Sequence, residues 1–152
     1  MVNFTLRSAQ PEDAPALATL EKALFSEPYS AASCASLIAS PLSLATLAVG
    51  EDGTVLGYLL AQFIAPEGEL FTIATRKDCR RCGIARALMR HLLCEARARG
   101  CTVLYLEVRV SNTAAIALYK AFGFKAIGTR RDYYRAPRED ACIMQCALQA
   151  FS

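Results

Sequence analysis

Ile84, Leu88, Leu92 and Ala96 recur every four residues and lay one apolar stripe along a helix that Gly100 closes as a C-cap. This helix stands between two strand-like runs, Leu70 to Ala74 and Val103 to Val110. In the second run Leu104, Leu106, Val108 and Val110 share one face, and Tyr105, Glu107 and Arg109 share the other. A helix that carries the chain between strands has to cover a sheet with its apolar stripe. The segment therefore predicts an α/β layer fold with crossover helices.

The remaining segments extend this pattern. Asn3 to Arg7 reads as a first strand, and Ser8 to Asp13, with Pro11, opens a helix over Ala14 to Phe25 on which Leu17, Leu20 and Leu24 keep helical spacing. Pro28 breaks that helix, and Ser30 caps a second one running to about Ser40. Leu44 to Val49 and Val55 to Ile64 are strands joined by the Glu51-Asp52-Gly53 turn. Pro66-Glu67-Gly68 is the next expected turn. Asn112 to Phe122 is a short helix ended by Gly123, and Lys125 to Tyr133 and Asp140 to Ala147 are the last strands. No repeat or linker interrupts the 152 residues, so a single domain over 1–152 is expected.

Composition excludes several classes of function. With 54% hydrophobic and 20% charged residues the chain is not a disordered one. Its longest near-apolar stretch, Val55 to Ala65, is too short to cross a bilayer, and Met1 to Arg7 shows no signal-peptide pattern. A cytoplasmic protein with no membrane partner is expected. Seven scattered cysteines, an odd number, read as reduced and mostly buried thiols. A net charge of +3 does not by itself imply nucleic-acid binding, and no nucleic-acid partner is expected.

The charge is, however, concentrated. Arg76, Lys77, Arg80, Arg81, Arg86 and Arg90 lie close together with only Asp78 to oppose them. Within them, Arg80-Arg81-Cys82-Gly83-Ile84-Ala85 joins a strand to the apolar helix. Gly83 and Ala85 let backbone approach a ligand, and the unpaired N–H groups of the first helical turn, with the helix dipole, suit a pyrophosphate. A glycine at a helix start is also explained by packing or a turn. Glu107, a carboxylate in an apolar strand, is either a same-face partner of Arg109 or a general base in a cleft. Tyr119 is either amphipathic core or a catalyst.

Other chemistries fit less well. Cys79-Arg-Arg-Cys82 has redox spacing at a helix start, but its surroundings lack a thioredoxin-like layout. Zinc shared with Cys142 and Cys146 conflicts with the core character of Ile143 and Met144, so no metal is expected. His91, the sole histidine, falls on the charged side of its helix. Acid–base work then rests on carboxylates, tyrosines or water.

Taken together, Leu70–Thr75, Arg80–Leu88, Leu104–Asn112, Ala114–Tyr119 with Gly123-Phe124, and Arg130–Tyr134 with Arg138–Ala141 resemble the GNAT acetyltransferase superfamily, and within it the ribosomal-protein-alanine N-acetyltransferase (RimI-type) family. Pro28-Tyr29-Ser30 matches more weakly. The resemblance implies a single-domain GNAT acyltransferase fold, α/β, with a mixed, mostly antiparallel sheet flanked by helices on both faces. It implies acetyl-coenzyme A as cosubstrate and a protein N-terminal α-amine, that of an alanine-starting ribosomal small-subunit protein, as acceptor. By the same resemblance Ile73, Ala74 and Thr75 lie along the pantetheine arm, Arg80, Arg81, Cys82, Gly83, Ile84, Ala85 and Arg86 hold the pyrophosphate, and Asn112 touches the cofactor. Glu107 is implied as proton acceptor, Tyr119 as proton donor, and Tyr29, Tyr133 and Tyr134 as the acceptor side. Arg80, where the motif allows Gln or Arg, and Ala85, where Gly is commoner, are mild departures. The alternatives are a small amine or a lysine as acceptor, or a non-catalytic coenzyme A-binding module, which would need neither Glu107 nor Tyr119.

Overall fold

A computed structural model describes residues 2–149. Its strands are β1 (Phe4–Ser8), β2 (Ser43–Gly50), β3 (Val55–Ile64), β4 (Glu67–Thr75), β5 (Val103–Arg109), β6 (Lys125–Arg135) and β7 (Arg138–Ala147). They form one sheet in the order β1-β2-β3-β4-β5-β7-β6. Every neighbouring pair is antiparallel except β4–β5, which is parallel. The helices are α1 (Ala14–Leu24), α2 (Ala31–Ala39), α3 (Ile84–Ala98) and α4 (Thr113–Ala121). Among the described residues, no helix is long and apolar enough to cross a membrane.

Alternation along the strands divides the core between two faces. Tyr58 and Leu60 of β3 pack with Leu17 of α1 and Cys34 of α2. Leu59, from the opposite face of the same strand, packs with Ile84, Leu88, Leu92 and Ala96 of α3 and with Tyr119 and Phe124 around α4. All four stripe residues of α3 are buried. Burial of Ile84, Leu88 and Leu92 contributes about 1.5–3 kcal/mol each, so the stripe fixes how α3 lies on the sheet. Gly57 then sets where it starts. A Cβ there would stand 2.8 Å from Ile84 Cγ2 and 2.9 Å from Ala74 O, so glycine lets the first turn of α3 rest against the end of β4.

Two boundaries differ from the expectation. Glu67 and Gly68 belong to β4 rather than to a turn, because they pair with β3 on one side and with Val103 and Leu104 of β5 on the other. Gly68 is needed for close approach, since a Cβ would meet Leu104 Cδ2 at 2.6 Å and Phe63 Cδ1 at 2.7 Å. The last hairpin also runs further than its apolar pattern suggests, with Arg135 still opposite Arg138.

Candidate active site

β4 and β5 pair only at Glu67–Val103, Gly68–Leu104 and Glu69–Tyr105. Beyond these residues the strands separate. On its other edge β4 stays paired with β3, but Leu60 faces Thr72 while Ala61 faces Leu70, leaving Phe71 as an extra residue. Such a bulge bends and twists its strand, and this one falls where the fork opens. The facing edges of β4 and β5 are left without ladder partners, so their peptide groups are free to bond water, side chains or a ligand. A cleft of about 540 Å³ opens at the fork and is lined by Glu107, Tyr119, Ile73, Asn112, Tyr29, Tyr133 and Tyr134 among others. Seven of the residues singled out in the sequence thus share one cavity.

Glu107 lies in the middle of β5 opposite Ile143 of β7. Its Oε2 is buried and accepts no hydrogen bond. The nearest cation is Arg130 of β6, with Nε 3.5 Å from that oxygen. The Glu107–Arg109 pair considered from the sequence is not formed. Arg109 reaches instead to Glu139 at 3.1 Å and to the carbonyls of Ala136 and Pro137 at the β6–β7 turn, and to Glu27 of the α1–α2 loop at 3.7 Å. Glu107 therefore lines the cleft with one carboxylate oxygen free of hydrogen bonds.

Tyr119 reaches the cleft through the geometry of α4. Asn112 caps the helix, its Oδ1 accepting from Ala115 N at 3.2 Å. Asn112, Ala115 and Tyr119 then follow one another at three- and four-residue spacing and present one face to the cavity. The Tyr119 ring lies 5.9 Å from that of the buried Phe124. Burial, and secondarily Tyr134, push its hydroxyl above the ordinary tyrosine value. The hydroxyl therefore keeps its proton at physiological pH.

The aromatic wall has a backbone cause. On β6 Arg130 faces Ala141 and Tyr134 faces Glu139, so three residues of β6 stand against Asp140 alone. Asp132 in this bulge has a φ of 52°, and its N–H donates to Asp140 Oδ1 at 2.9 Å. Neighbouring residues on a regular strand point to opposite faces, but here Tyr133 and Tyr134 both line the cleft, ring centroids 5.0 Å apart. Burial and then Tyr133 raise the Tyr134 hydroxyl to about 12, and burial and then Glu21 raise that of Tyr29 to about 12.

Glu21 and Glu69 also line the cleft and were not singled out in the sequence. Glu21 is buried and accepts from Tyr58 Oη, from Thr72 Oγ1 at 2.9 Å and from Tyr29 N at 3.0 Å. It ties α1 to the sheet and to the loop that carries Tyr29. The signal was present, since Glu21 follows Leu17 by one helical step on the apolar side. Glu69, pushed above the usual carboxylate range by burial and then by Glu107, sits at the last β4–β5 pair and had no such signal.

The arginine segment lies outside this cavity. β4 ends at Thr75, whose buried Oγ1 has no hydrogen-bond partner, and a single turn over Lys77–Cys79 leads to the start of α3. Arg81 and Gly83 have φ values of 64° and 82°, and Gly83 is an N-cap without a side-chain bond to the first turn. Left-handed residues interspersed through a loop turn successive N–H groups inward, a cradle for an anion. Arg80, Arg81 and Arg86 are exposed, and Arg86 stacks over Phe122, which follows α4, with Cζ 5.2 Å from the ring centroid. Ile84 is buried in the core, so only its N–H can serve a ligand. Ile73, Ala74 and Thr75 follow one another along the edge of β4 that β5 leaves unpaired and lead on to this loop, while Glu107 stands on β5 across the fork.

All seven cysteines are free thiols. Burial, followed by Asp78, raises the Cys79 thiol, the reverse of what a nucleophilic thiolate needs. Among the described residues no three His, Cys, Asp or Glu side chains converge on a metal position, so Cys79, Cys82, Cys142 and Cys146 do not form a zinc set.

Residues 14–124 match the Acetyltransferase (GNAT) family. The chain is 37% identical over 142 residues to the ribosomal protein bS18-alanine N-acetyltransferase of Escherichia coli (strain K12), covering 92% of this chain and 95% of that one. It is 37% identical over 147 residues to the N-alpha-acetyltransferase RimI of Mycobacterium tuberculosis (strain ATCC 25618 / H37Rv), covering 93% and 90%. The crystal structure of the Escherichia coli ribosomal-protein-S18-alanine N-acetyltransferase matches with a TM-score of 0.89 at 35% identity over 99% of this chain and 97% of that one.

Proposed function

The chain belongs to the GNAT acetyltransferase family, and from that premise we propose that it moves the acetyl group of acetyl-coenzyme A onto the N-terminal α-amine of a protein in the cytosol, that of an alanine-starting ribosomal small-subunit protein. Residues 1–152 act in this reading as one catalytic domain. The cradle at Arg80–Arg86 holds the pyrophosphate, and the unpaired edge of β4 at Ile73, Ala74 and Thr75 takes the pantetheine arm, with Asn112 alongside. The thioester then lies in the fork between Glu107 and Tyr119. Tyr29, Tyr133 and Tyr134 line the approach of the acceptor.

The observation that carries this reading is that one cleft is lined both by Glu107, which has a carboxylate oxygen free of hydrogen bonds, and by Tyr119, whose hydroxyl is raised by burial. An α-amine has a pKa of about 7.7–8.0 against about 10.4 for lysine, so a carboxylate base suffices to free its lone pair. Glu107 takes that proton, directly or through one water. The amine attacks the thioester carbon, the C–N bond forms as the C–S bond breaks, and the Tyr119 hydroxyl delivers a proton to the departing sulfur. Transfer is direct, and the nitrogen's second proton leaves to solvent. A peptide array varying the first residues, with N-blocked, lysine and polyamine controls, tests the acceptor class. Acetylation of alanine-starting peptides alone supports the reading, and acetylation of lysine or polyamine alone overturns it.

A further inference from the structure

Arg109, the last residue of β5, shares a face with Glu107 yet makes its contacts elsewhere. Its Nη1 donates to Pro137 O at 2.9 Å and to Glu139 Oε1 at 3.1 Å. Its Nη2 donates to Ser26 Oγ at 2.8 Å and to Ala136 O at 3.3 Å, with Glu27 Oε2 at 3.7 Å. The guanidinium also stacks on the Tyr134 ring, 4.3 Å from its centroid. Ser26 and Glu27 lie in the loop between α1 and α2 that carries Tyr29, and Ala136, Pro137 and Glu139 lie at the β6–β7 turn beside Tyr134. One side chain therefore joins the two walls that flank the acceptor end of the cleft.

The carboxylates it touches extend the join. Glu27 Oε1 accepts from Arg135 N at 3.1 Å, so the two walls are linked a second time. Glu139 Oε2 accepts from Ser111 N at 2.7 Å, which ties the turn back to the segment leading into α4. A planar fork with donors on two edges can satisfy acceptors on both walls at once, whereas an ammonium is a single point of charge.

We propose that Arg109 is a positioning residue for the acceptor, a clasp that holds the α1–α2 loop and the β6–β7 turn at the spacing the acceptor requires. The inference rests on the acceptor side assigned above and concerns how that side is preorganised. Two loops that are already ordered cost little further entropy when a ligand binds between them, and without the clasp that cost falls on acceptor binding. The cofactor cradle, at the far end of β4, makes no contact with Arg109 and should not sense its loss.

Steady-state kinetics of Arg109→Gln, Arg109→Lys and Glu27→Gln, with both substrates varied, test this. Arg109→Gln should raise KM for the acceptor about tenfold or more while KM for acetyl-coenzyme A and kcat change less than about threefold. Lysine should recover only part of the loss. Glu27→Gln, on an exposed loop, should raise acceptor KM by less, and combining it with Arg109→Gln should add less than the product of the single effects. An unchanged acceptor KM, or equal rises in both KM values, overturns the clasp. If Arg109→Gln fails to fold, Arg109→Lys and Glu27→Gln decide by the same criterion. Should the wild-type enzyme acetylate a small amine and no peptide, the acceptor assignment falls, and the clasp is scored on the KM of that amine.

Discussion

Arg130 Nε stands 3.5 Å from Glu107 Oε2, close enough to compensate its charge but without donating a hydrogen bond to it. The arrangement meets two demands that the proposed role of Glu107 as a base would make within an apolar strand. A buried carboxylate without a counter-charge is costly, and one saturated by donors has no lone pair left for a proton. Arg130 is itself more than half exposed, so it meets the first demand without imposing the second.

Gly83→Val tests the cradle. A Cβ at Gly83 would meet nothing within 4 Å, so no clash threatens the core, but the φ of +82° is one that a β-branched residue adopts only under strain. Calorimetric titration with coenzyme A should show affinity reduced about tenfold or more in a variant that still folds. Unchanged affinity would remove the pyrophosphate from this loop.

Glu21→Ala tests the buried carboxylate. The substitution strands Tyr58 Oη, Thr72 Oγ1 and Tyr29 N, and each buried group left unsatisfied costs about 1–3 kcal/mol. Chemical denaturation should show a loss of about 3 kcal/mol or more, and Glu21→Gln, which still accepts through one oxygen, should lose less. Equal stability of Glu21→Ala and wild type would mean that water replaces the carboxylate.

The cysteines should be dispensable. Cys79→Ser/Cys82→Ser should keep kcat within about threefold of wild type, because no base activates either thiol and the Cys79 thiol is raised by its burial. Loss of turnover with intact acetyl-coenzyme A binding would restore a thiol to the mechanism.

Tyr119→Phe should slow transfer about a hundred- to ten-thousand-fold at unchanged cofactor affinity, with no recovery at high pH, because the missing group is an acid. In the wild type burial raises this hydroxyl, so the acid form persists beyond the ordinary tyrosine pKa of about 10. The rate should accordingly not fall between about pH 8 and pH 10. A decline in that range that is absent from Tyr119→Phe would show the donor ionising early.

The elements that position the site were legible where one local pattern decides them. The α3 stripe, the Asp-Gly hairpin after β2, the Ser30 cap and the Asn112 cap all stand where the residues indicate. Features that depend on pairing between distant strands were not. The β4–β5 fork follows from three parallel pairs and the Phe71 bulge, and no residue type near Phe71 announces it. The β6 bulge needs Asp132 in a left-handed conformation, so Tyr133 and Tyr134 read as an alternating pair until the register is known. Strand spacing left a Glu107–Arg109 pair open as one of two readings, but the length of Arg109 lets it reach partners 27 to 83 residues away in sequence.

The most direct test of the account is the pH dependence of acetyl transfer by Glu107→Gln to an alanine-starting peptide. With acetyl-coenzyme A affinity confirmed as unchanged, the rate near pH 7 should fall about a hundred- to ten-thousand-fold. As the pH passes the α-amine pKa of about 7.7–8.0 the acceptor loses its proton unaided, and part of the loss should be recovered. A variant as fast as wild type near pH 7 would contradict the assignment of Glu107 as the base.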